Sequence, residues 1–353
     1  MSTILITGGL GYIGSHTCLN LLKNGFDLVI IDSLINSSEK ILKKITQTLI
    51  KTNGSKNKFG KYQFRKGDLK NTIWLNKIFN EFTSKNEDID FVIHLAGLKS
   101  VEESTTEPLR YWEENLENTF SLVSAMKLNN CRKLIFSSSA MVYKPIHNKL
   151  IEETSPLQPY NPYGNSKLAI ENLLRDIYKY DSANWKIAML RYFNPVGAHE
   201  SGLIGENPLN IPNNLFPYIC RVANKNYKEL KIFGNDWNTY DGTCIRDYIH
   251  VVDLAEAHCA ALDYLIESEP KILNLNIGTG IGTSVLEMVS TFSKVNKIDV
   301  PYSFAERRPG DVPSIVADNK LAIKTLNWFP KRDLSEMCRN GWNWQINNPK
   351  GYI

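Results

Sequence analysis

The chain has 353 residues, 42% of them apolar, and its 41 basic and 37 acidic side chains give a formal net charge of +4. This length suggests one large or two ordinary domains with a substantial buried core. The apolar content and the balanced charge exclude a disordered chain, and no apolar run is long enough to span a membrane.

The cysteines, histidines and lysines show no pattern of a ligand site. The six cysteines include no CxxC pair, which predicts reduced thiols and a cytoplasmic location. The six histidines form no HxH or HExxH pattern, so we expect no metal, and no signal peptide is recognisable. Segment 40–66 is Lys-rich and fits either an anion-binding patch or a solvated helix face. It lacks interleaved aromatic residues, so we favour the helix face and expect neither nucleic acid nor membrane as partner.

Short β-rich runs alternate with amphipathic stretches over the first half of the chain. The predicted strands are 3–7, 26–32, 61–68, 90–96, 133–139 and 187–193. Such alternation predicts an α/β fold with a doubly wound parallel sheet. After Asn194, loops rich in Pro, Gly and Asn dominate, so we predict a first domain over 1–193 and a smaller mixed α/β domain over 194–353. The chain is expected to cross back to the first domain in places.

The first strand leads directly into a glycine-rich turn and a helical pattern. Gly8, Gly11 and Gly14 allow a tight turn, close approach of a pyrophosphate, and close packing of helix on strand. The next predicted strand ends in Asp32, which can accept hydrogen bonds from a ribose and would repel a 2′-phosphate. A glycine turn and a helix-capping aspartate would explain each feature alone. Together they predict a Rossmann-type domain that binds NAD rather than NADP.

The stretch YNPYGNSK predicts the start of a helix, with Asn161 as N-cap and a helix from Pro162 to about residue 180. Tyr163 and Lys167 then lie one turn apart on one face. A tyrosine has an ordinary pKa near ~10, so a neighbouring ammonium would help it to act as a general base. Without the other motifs, an aromatic core residue beside a surface lysine would be the favoured interpretation of this pair.

Nine collinear segments, which lie between Ile4 and Asp311, together resemble the extended short-chain dehydrogenase/reductase family, and within it the nucleotide-sugar epimerases. They are ITGGLGYIGSHT, HLAGLKSVEES, FSSSAMVY, PYGNSKL, LRYFNPVGAH, IPNNLFPYI, IFGND, DGTCIRDYIHVVDLA and RRPGD. The YxxxK spacing is shared by the whole superfamily. LRYFNPVGA, IPNNL and RDYIHV together are more specific to the epimerases.

The resemblance implies a role for each matching position. The implied catalytic residues are Ser139, Tyr163 and Lys167. The implied NAD contacts are Gly8, Gly11, Tyr12, Ile13, Gly14, Asp32, Asn36, Ser37, Asp68, Leu69, Leu95, Ala96, Gly97, Lys99, Asn115, Ser137, Tyr163, Lys167 and Phe193. The implied contacts of a UDP-sugar substrate are Lys99, Ser139, Tyr163, Asn194, Asn214, Leu215, Phe233, Arg246, Tyr248, Arg308, Asp311 and Ile315. The two arginines also suit an anionic diphosphate on chemical grounds, although either alone is more often a surface ion pair.

The implied reaction interconverts UDP-glucose and UDP-galactose. Tyr163 takes the proton of the sugar C4 hydroxyl while C4 gives hydride to NAD⁺, and the 4-keto sugar turns over before it is reduced on its opposite face. Because NAD is regenerated, it is expected to stay bound. The resemblance also implies a homodimer built on helices near 111–128 and 165–179. Ile315 is implied to face the sugar's C2 substituent, so N-acetylated UDP-sugars are expected to be slower substrates.

Two other functions remain open. A 4,6-dehydratase would typically carry carboxylates directly after Ser139, where Ala140 and Met141 stand. A catalytically inactive NAD-binding regulatory or scaffold protein would be favoured by loss of Tyr163 or Lys167, and both are present. Three positions outside the catalytic set depart from the epimerase pattern, namely Leu95, Met141 and Lys144.

Overall fold

The computed structural model describes residues 2–53, 59–145, 149–208, 212, 214–308 and 311–352. Its strands are β1 (Thr3–Thr7), β2 (Asp27–Asp32), β3 (Tyr62–Lys66), β4 (Ile89–His94), β5 (Lys133–Ser139), β6 (Lys186–Tyr192), β7 (Asn194–Val196), β8 (Leu230–Phe233), β9 (Ile245–His250), β10 (Lys271–Ile277), β11 (Gly282–Ser284), β12 (Tyr302–Ala305) and β13 (Ser314–Ile315). Its α-helices are α1 (Tyr12–Lys23), α2 (Lys40–Asn53), α3 (Thr72–Thr83), α4 (Val101–Thr106), α5 (Pro108–Leu128), α6 (Pro162–Tyr180), α7 (Leu215–Ala223), α8 (Val251–Glu267), α9 (Val285–Asn296), α10 (Lys320–Leu326) and α11 (Leu334–Asn347). A 3-10 turn, Ala140–Val142, follows β5.

The largest sheet in the described part of the chain has seven parallel strands in the order β10-β6-β5-β4-β1-β2-β3. The strand order reverses between β1 and β4, so a crevice opens there at the carboxyl ends of the strands. The predicted α/β fold with a doubly wound parallel sheet is confirmed. Each of the six predicted strands is present, with bounds that differ by at most two residues.

The sheet is covered by helices on both faces, because alternate residues of its strands point to opposite sides. Ile4 and Ile6 of β1 pack in a cluster with side chains of α1, α2 and α8. Leu5, between them, packs in a second cluster with side chains of α3, α5 and α6. Burial of each such side chain contributes about 1.5–3 kcal/mol, so the continuous apolar strands anchor the whole layer.

The Lys-rich segment begins as helix α2, which packs one apolar face on the sheet. Ile41, Ile45 and Leu49 recur every four residues and are buried in the first cluster. Lys43 and Lys51 on the other faces are exposed. This is the packing of an amphipathic helix with a solvated basic face.

The second half of the chain contributes to the large sheet as well as to two smaller ones. Strand β10 pairs with β6 in parallel, and helix α8 packs against α1. Strands β7, β9, β11 and β13 form a four-stranded sheet, and β8 pairs with β12. The division of the chain at residue 193 stays a prediction, and both β10 and α8 come from beyond it.

Candidate active site

The glycine-rich turn joins β1 to α1 without room for side chains. A Cβ atom on Gly14 would lie 2.1 Å from the carbonyl oxygen of Gly8, and one on Gly8 would lie 2.7 Å from the amide nitrogen of Ala96. Gly8 also has a positive φ of 66°. Gly11 is the N-cap of α1, and no side chain caps this helix start. The amides of the first turn are therefore available to a phosphate, as expected for a dinucleotide site.

Asp32 lies at the carboxyl end of β2 and is buried. Its Oδ2 atom accepts a hydrogen bond from the Leu10 amide at 3.0 Å. Its Oδ1 atom accepts from the Leu34 amide at 2.9 Å and from the Ser37 hydroxyl at 2.7 Å. These bonds fix the carboxylate beside the glycine turn, where it can accept hydrogen bonds from ribose hydroxyls. The residues present thus fit NAD.

Asn115 holds the loop that follows β4. Its Oδ1 atom accepts from the amide of Leu98 at 2.8 Å, and its Nδ2 atom donates to the Leu98 carbonyl at 3.2 Å and the Ser166 hydroxyl at 3.0 Å. Gly97 has a φ of 153°, and a Cβ there would lie 2.9 Å from Asn115 Oδ1. Asn115 therefore ties the loop to α6, next to the residues predicted to be catalytic.

The other predicted cofactor positions differ in their surroundings. Ile13 and Leu95 are partly buried and pack against the first core cluster. Leu69 is a buried member of the second cluster, and Ala96 packs against it. Asp68 follows β3 and accepts from the Lys70 amide at 2.9 Å, and Asn36 is exposed. Whether these residues contact a cofactor stays a prediction.

The predicted catalytic side chains lie together where β5 ends against the first turns of α6. The Lys167 ammonium donates to the carbonyl oxygen of Ser137 at 2.9 Å and stands 5.9 Å from the centre of the Tyr163 ring. The Ser139 hydroxyl accepts from the amide of Met141 at 3.2 Å. Asn161 caps α6 through the Gly164 amide, as the sequence predicts. The helix start thus presents Tyr163 and Lys167 to the strand end.

Burial dominates the acidity of the two α6 residues. Burial raises the pKa of Tyr163, and a hydrogen bond with Ser139 offsets only part of that effect. Burial lowers the pKa of Lys167 to about 8. The sequence suggested that Lys167 would help to lower the pKa of the phenol. Because burial dominates, the raised pKa means instead that the phenol holds its proton more tightly than a free tyrosine.

A buried ionic network lies beneath the residues predicted to be catalytic. The sequence analysis did not predict it. Glu171, one turn after Lys167, is fully buried and accepts from Arg191 Nε at 2.9 Å and Nη2 at 2.7 Å. It also accepts from the Ser138 hydroxyl at 2.5 Å. The network therefore fixes the residue before Ser139 to the helix that carries Tyr163. A glutamate on the apolar face of α6 was the available signal, because charged residues are rarely buried without a partner.

The residues predicted to bind a diphosphate form a cluster around Asp311. Arg246 Nη2 lies 3.5 Å from Asp311 Oδ1, and Arg308 Nε lies 3.3 Å from Asp311 Oδ2. Arg246 also donates to the carbonyl oxygen of Val312 at 2.9 Å. The guanidinium of Arg308 stands 4.6 Å from the centre of the Phe233 ring. Two cations and an aromatic face thus lie side by side, as a nucleoside diphosphate requires.

Ile315 connects this cluster with the catalytic turn. On β13 it lies opposite Arg246 in the pairing with β9. Its buried side chain packs in one cluster with Ala140, Phe193 and Ala317. The structure therefore brings Ile315 between the arginine cluster and the 3-10 turn that begins beside Ser139.

The remaining predicted substrate positions lie on neighbouring elements. Asn194 of β7 stands opposite Tyr248 of β9 in the parallel pairing. Asn214 is the N-cap of α7 and makes no side-chain capping bond, and Leu215 is the first residue of that helix. Tyr248 is buried, and Leu215 packs on the same apolar cluster. Substrate contact at these positions stays a prediction.

Across the described ranges, no group of three His, Cys, Asp or Glu side chains could hold a metal ion. None of the described helices combines the length and the apolar character needed to cross a membrane.

A doubly wound parallel sheet, an uncapped glycine turn, and a Ser–Tyr–Lys set at its rim define a NAD-dependent short-chain dehydrogenase/reductase. The family model described as GDP-mannose 4,6 dehydratase matches residues 5–341. A UDP-glucose 4-epimerase of Bacillus subtilis is 47% identical over 99% of this chain and 98% of its own length. The chain belongs to the extended short-chain dehydrogenases/reductases that this family model describes, and within them to the UDP-glucose 4-epimerase family.

Solved structures agree with this membership. The UDP-glucose 4-epimerase of Stenotrophomonas maltophila, with bound NAD and formylated UDP-arabinopyranose, superposes with a TM-score of 0.92 at 40% identity and covers 99% of each chain. The enzyme of Bifidobacterium longum, in complex with NAD⁺ and UDP, gives 0.91 at 42% identity and covers 99% of this chain and 100% of its own. Ala140 and Met141, in the turn after Ser139, supply no carboxylate for a dehydratase.

Proposed function

We propose that the protein is an isomerase that interconverts UDP-glucose and UDP-galactose by oxidation and re-reduction of C4, with NAD as its cofactor. The observation that carries this function is the placement of Ser139, Tyr163 and Lys167 together at the carboxyl end of β5. Such a set removes a proton from an alcohol, which is the requirement for its oxidation.

The protein's own groups move a single proton. When bound, NAD accepts a hydride from C4 and returns it. Tyr163 takes the proton of the C4 hydroxyl, and its hydrogen bond with Ser139 leaves the serine hydroxyl able to bridge substrate and phenol. Lys167 stabilises the phenolate by charge, and Tyr163 gives the proton back when the ketone is reduced. Each complete turnover therefore leaves the residues as they began.

The raised pKa of Tyr163 makes this proton transfer dependent on charge. A shift of one pKa unit corresponds to about 1.4 kcal/mol, so lowering a phenol pKa by about three units needs roughly 4 kcal/mol. Lys167, with a pKa of about 8, is mostly charged at neutral pH, and its ammonium stands 5.9 Å from the centre of the Tyr163 ring. We therefore assign Lys167 to the activation of Tyr163 and not to direct proton transfer.

The second half of the chain holds the nucleotide while the sugar turns. Arg246 and Arg308, both paired with Asp311, offer donors to the diphosphate. Arginine suits this task because its planar donors match phosphate oxygens. Ile315 forms the apolar wall between these arginines and the catalytic turn. A fixed diphosphate and an apolar wall leave the keto sugar free to present either face.

The test is to incubate the purified protein with UDP-galactose and no added NAD. We expect UDP-glucose to form, because the cofactor is regenerated and stays bound. A Tyr163→Phe variant prepared in the same way serves as the control for contaminating epimerase. Formation of a 4-keto-6-deoxy sugar would indicate a dehydratase, and no conversion with NAD bound would indicate an inactive regulatory protein.

We also propose that the protein forms a homodimer through α5 and α6, which pack against each other in the protomer. Leu109, Trp112 and Phe120 lie along α5 and are 68%, 37% and 46% exposed. Such a stripe of large apolar side chains is typical of an interaction surface. Sedimentation should give a dimer at micromolar concentration, and Phe120→Glu should give a monomer. Ile73→Glu, an exposed position on α3, is the control and should leave the dimer intact.

The cytoplasmic location remains a proposal. All six cysteines are free and buried, as suits a compartment that keeps thiols reduced. Fractionation of cells that produce the protein tests it.

A further inference from the structure

Residues 197–206, which we call the strap, cross the rim of the large sheet in a fixed conformation. The strap follows β7, and an isolated antiparallel bridge joins Ala198 to Gly205 near its two ends. The His199 amide donates to the Ile204 carbonyl at 3.0 Å, and Ile204 is fully buried. The strap is therefore an ordered loop with its own anchor in the core.

The strap contacts both sides of the cofactor crevice. The Tyr12 hydroxyl, at the start of α1, donates to the carbonyl oxygen of Gly197 at 2.7 Å. The Lys99 ammonium, in the loop after β4, donates to Glu206 Oε1 at 3.2 Å. Tyr12 and Lys99 belong to elements on either side of the β1–β4 switch point, where a dinucleotide binds, and the Lys99 ammonium stands 5.8 Å from the centre of the Tyr12 ring. The strap thus holds two wall residues that already meet at the crevice.

Side chains of residues 348 and 352 hydrogen-bond the backbone of the strap. The Tyr352 hydroxyl accepts from the amide of Gly205 at 2.8 Å and donates to the carbonyl of the same residue at 2.9 Å. Asn348 Nδ2 donates to the carbonyl oxygen of Gly202 at 2.8 Å. Tyr352 is buried, and in the described part of the chain its hydroxyl is the hydrogen-bond partner of both backbone groups of Gly205. The peptide immediately before Glu206 is therefore held in place by the end of the chain.

The contacts of the strap with the two sides of the crevice differ in strength. The Tyr12–Gly197 bond comes from a partly buried side chain, and Tyr352 is buried, whereas the Lys99 side chain is 51% exposed and that of Glu206 is 15% exposed. A half-exposed ion pair is the weaker contact because water competes for both charges. The strap should therefore open at the Lys99–Glu206 pair and remain attached at Gly205.

We propose that the strap closes the cofactor crevice, and that Glu206 and Tyr352 are positioning residues that set the rate at which NAD leaves. The inference rests on the proposed function only for the presence of NAD in the crevice. Glu206 holds Lys99 in its place beside Tyr12 at the crevice, and Tyr352 fixes the peptide from which Glu206 projects. Loss of either contact frees the strap to open.

The experiment measures release of NAD from the holoenzyme. Protein carrying radiolabelled NAD is diluted into excess unlabelled NAD, and the label that stays with the protein is followed over time. Glu206→Gln should release NAD about 2- to 5-fold faster, as loss of a part-exposed ion pair produces, and Tyr352→Phe about 3- to 10-fold faster, because it loses buried hydrogen bonds. Because both act on one strap, the double variant should fall short of the product of the two effects. Glu206→Asp, which keeps the charge, should release NAD more slowly than Glu206→Gln.

Two matched variants control for general loosening of the fold. Glu256→Gln removes a carboxylate that pairs with Lys331 at 2.9 Å, and Tyr264→Phe removes a hydroxyl that accepts from Lys271 at 3.0 Å. Neither residue contacts the strap or the glycine turn in the hydrogen bonds and ion pairs of the described residues. NAD release in these two should match the unmodified protein, and thermal midpoints are measured for all variants.

The outcomes separate the strap from the proposed function. The proposed role of the strap would be overturned if Glu206→Gln left NAD release unchanged, or if the control variants released NAD equally fast. If Tyr352→Phe is destabilised, Glu206→Gln decides alone, because its ion pair is partly exposed. Faster release from Glu206→Gln in a protein that does not convert UDP-galactose would support the strap and reject the epimerase function.

Discussion

The ammonium of Lys167 stands 5.9 Å from the centre of the Tyr163 ring, and burial acts on the two groups in opposite directions. It lowers the pKa of Lys167 to about 8 and raises that of Tyr163. Burial thus shifts both groups toward their neutral forms, and Lys167 is still mostly charged at neutral pH. The site gains a phenolate only when the charge of Lys167 and the hydrogen bond of Ser139 outweigh burial.

We expect activity to depend on the protonation of Lys167. With its pKa lowered to about 8, this side chain is charged below that pH and neutral above it. The kcat/KM for UDP-galactose should therefore decline as the pH rises through about 8, because kcat/KM reports groups of the free enzyme. Lys167→Met should be much slower and should lose this alkaline decline. An unchanged decline in the variant would assign it to another group.

Tyr163→Phe should lower kcat by about 10²–10⁴-fold, the usual contribution of a general base. The substitution removes one hydroxyl from a buried ring, so the thermal midpoint and the content of bound NAD should be retained. Tyr178→Phe on the same helix is the matched control, since its hydroxyl makes a single long bond among the described residues, of 3.5 Å to the carbonyl of Pro270. Near-normal turnover in Tyr163→Phe would remove this residue from the mechanism.

Ile315→Tyr should restrict the sugars that the protein accepts. Ile315 is 4% exposed and packs with Ala140 and Phe193 beside the catalytic turn. We expect slow but measurable conversion of UDP-N-acetylglucosamine, because a misfit of a few atoms costs about 1–3 kcal/mol. The larger tyrosine should abolish that conversion and spare UDP-glucose. The measurement is the ratio of kcat/KM for the two sugars.

Ile315→Leu, which conserves volume, is the control for this prediction and should leave the ratio near that of the unmodified protein. Bound NAD and the thermal midpoint are measured in parallel, because a tyrosine can overpack a buried site. A folded Ile315→Tyr variant with an unchanged ratio would show that Ile315 does not face the C2 substituent.

Buried histidines should make the protein less stable in mild acid. Burial lowers the pKa from 6.5 to about 3 for His16 and His94, and to about 4 for His199 and His258. Below pH 6.5 these histidines become protonated in the unfolded chain but stay neutral in the folded protein. The stability that the neutral histidines allow is fully present above pH 6.5. As the pH falls from there toward their pKa values in the folded protein, the free energy of unfolding decreases by about 1 kcal/mol per histidine and pH unit.

The free energy of unfolding from urea titrations should thus be lower at about pH 5.5 than at about pH 7.5. Buried Asp247 and Asp253 have raised pKa values, because burial disfavours their charge, and they oppose this trend. Histidine-selective NMR separates the two effects, since the ring of His94 should stay neutral throughout this range. Ring titration near pH 6.5 would contradict the prediction.

Much of the first half of the fold could be predicted from the sequence, because several of its strands are continuous apolar runs and helix α6 begins at a clear N-cap, Asn161. Strand β5 and helix α6 have the predicted limits. Strand β10 was not predicted, because its sequence, KILNLNI, alternates apolar residues with asparagine. Its place beside β6 also depends on helix α8, which precedes it in the chain. Pairing between distant segments is set by packing and not by local pattern.

The candidate site was predictable where residues act through a local motif. Tyr163 and Lys167 are one helical turn apart, so their proximity follows from the helix alone. The pairing of Glu171 with Arg191, and of Glu206 with Lys99, joins residues far apart in the chain. A glutamate looks the same in sequence whether it is solvated or buried. Only the fold shows which partner it meets.

The most direct test of the central claim follows the hydrogen on C4. Purified protein, with no NAD added, is given UDP-galactose that carries deuterium at C4, and the products are analysed by NMR and mass spectrometry. We predict UDP-glucose that retains the deuterium on C4, because the hydride leaves and returns within one site while Tyr163 handles only the hydroxyl proton. Loss of the deuterium to solvent, or no UDP-glucose from protein with bound NAD, would contradict this mechanism.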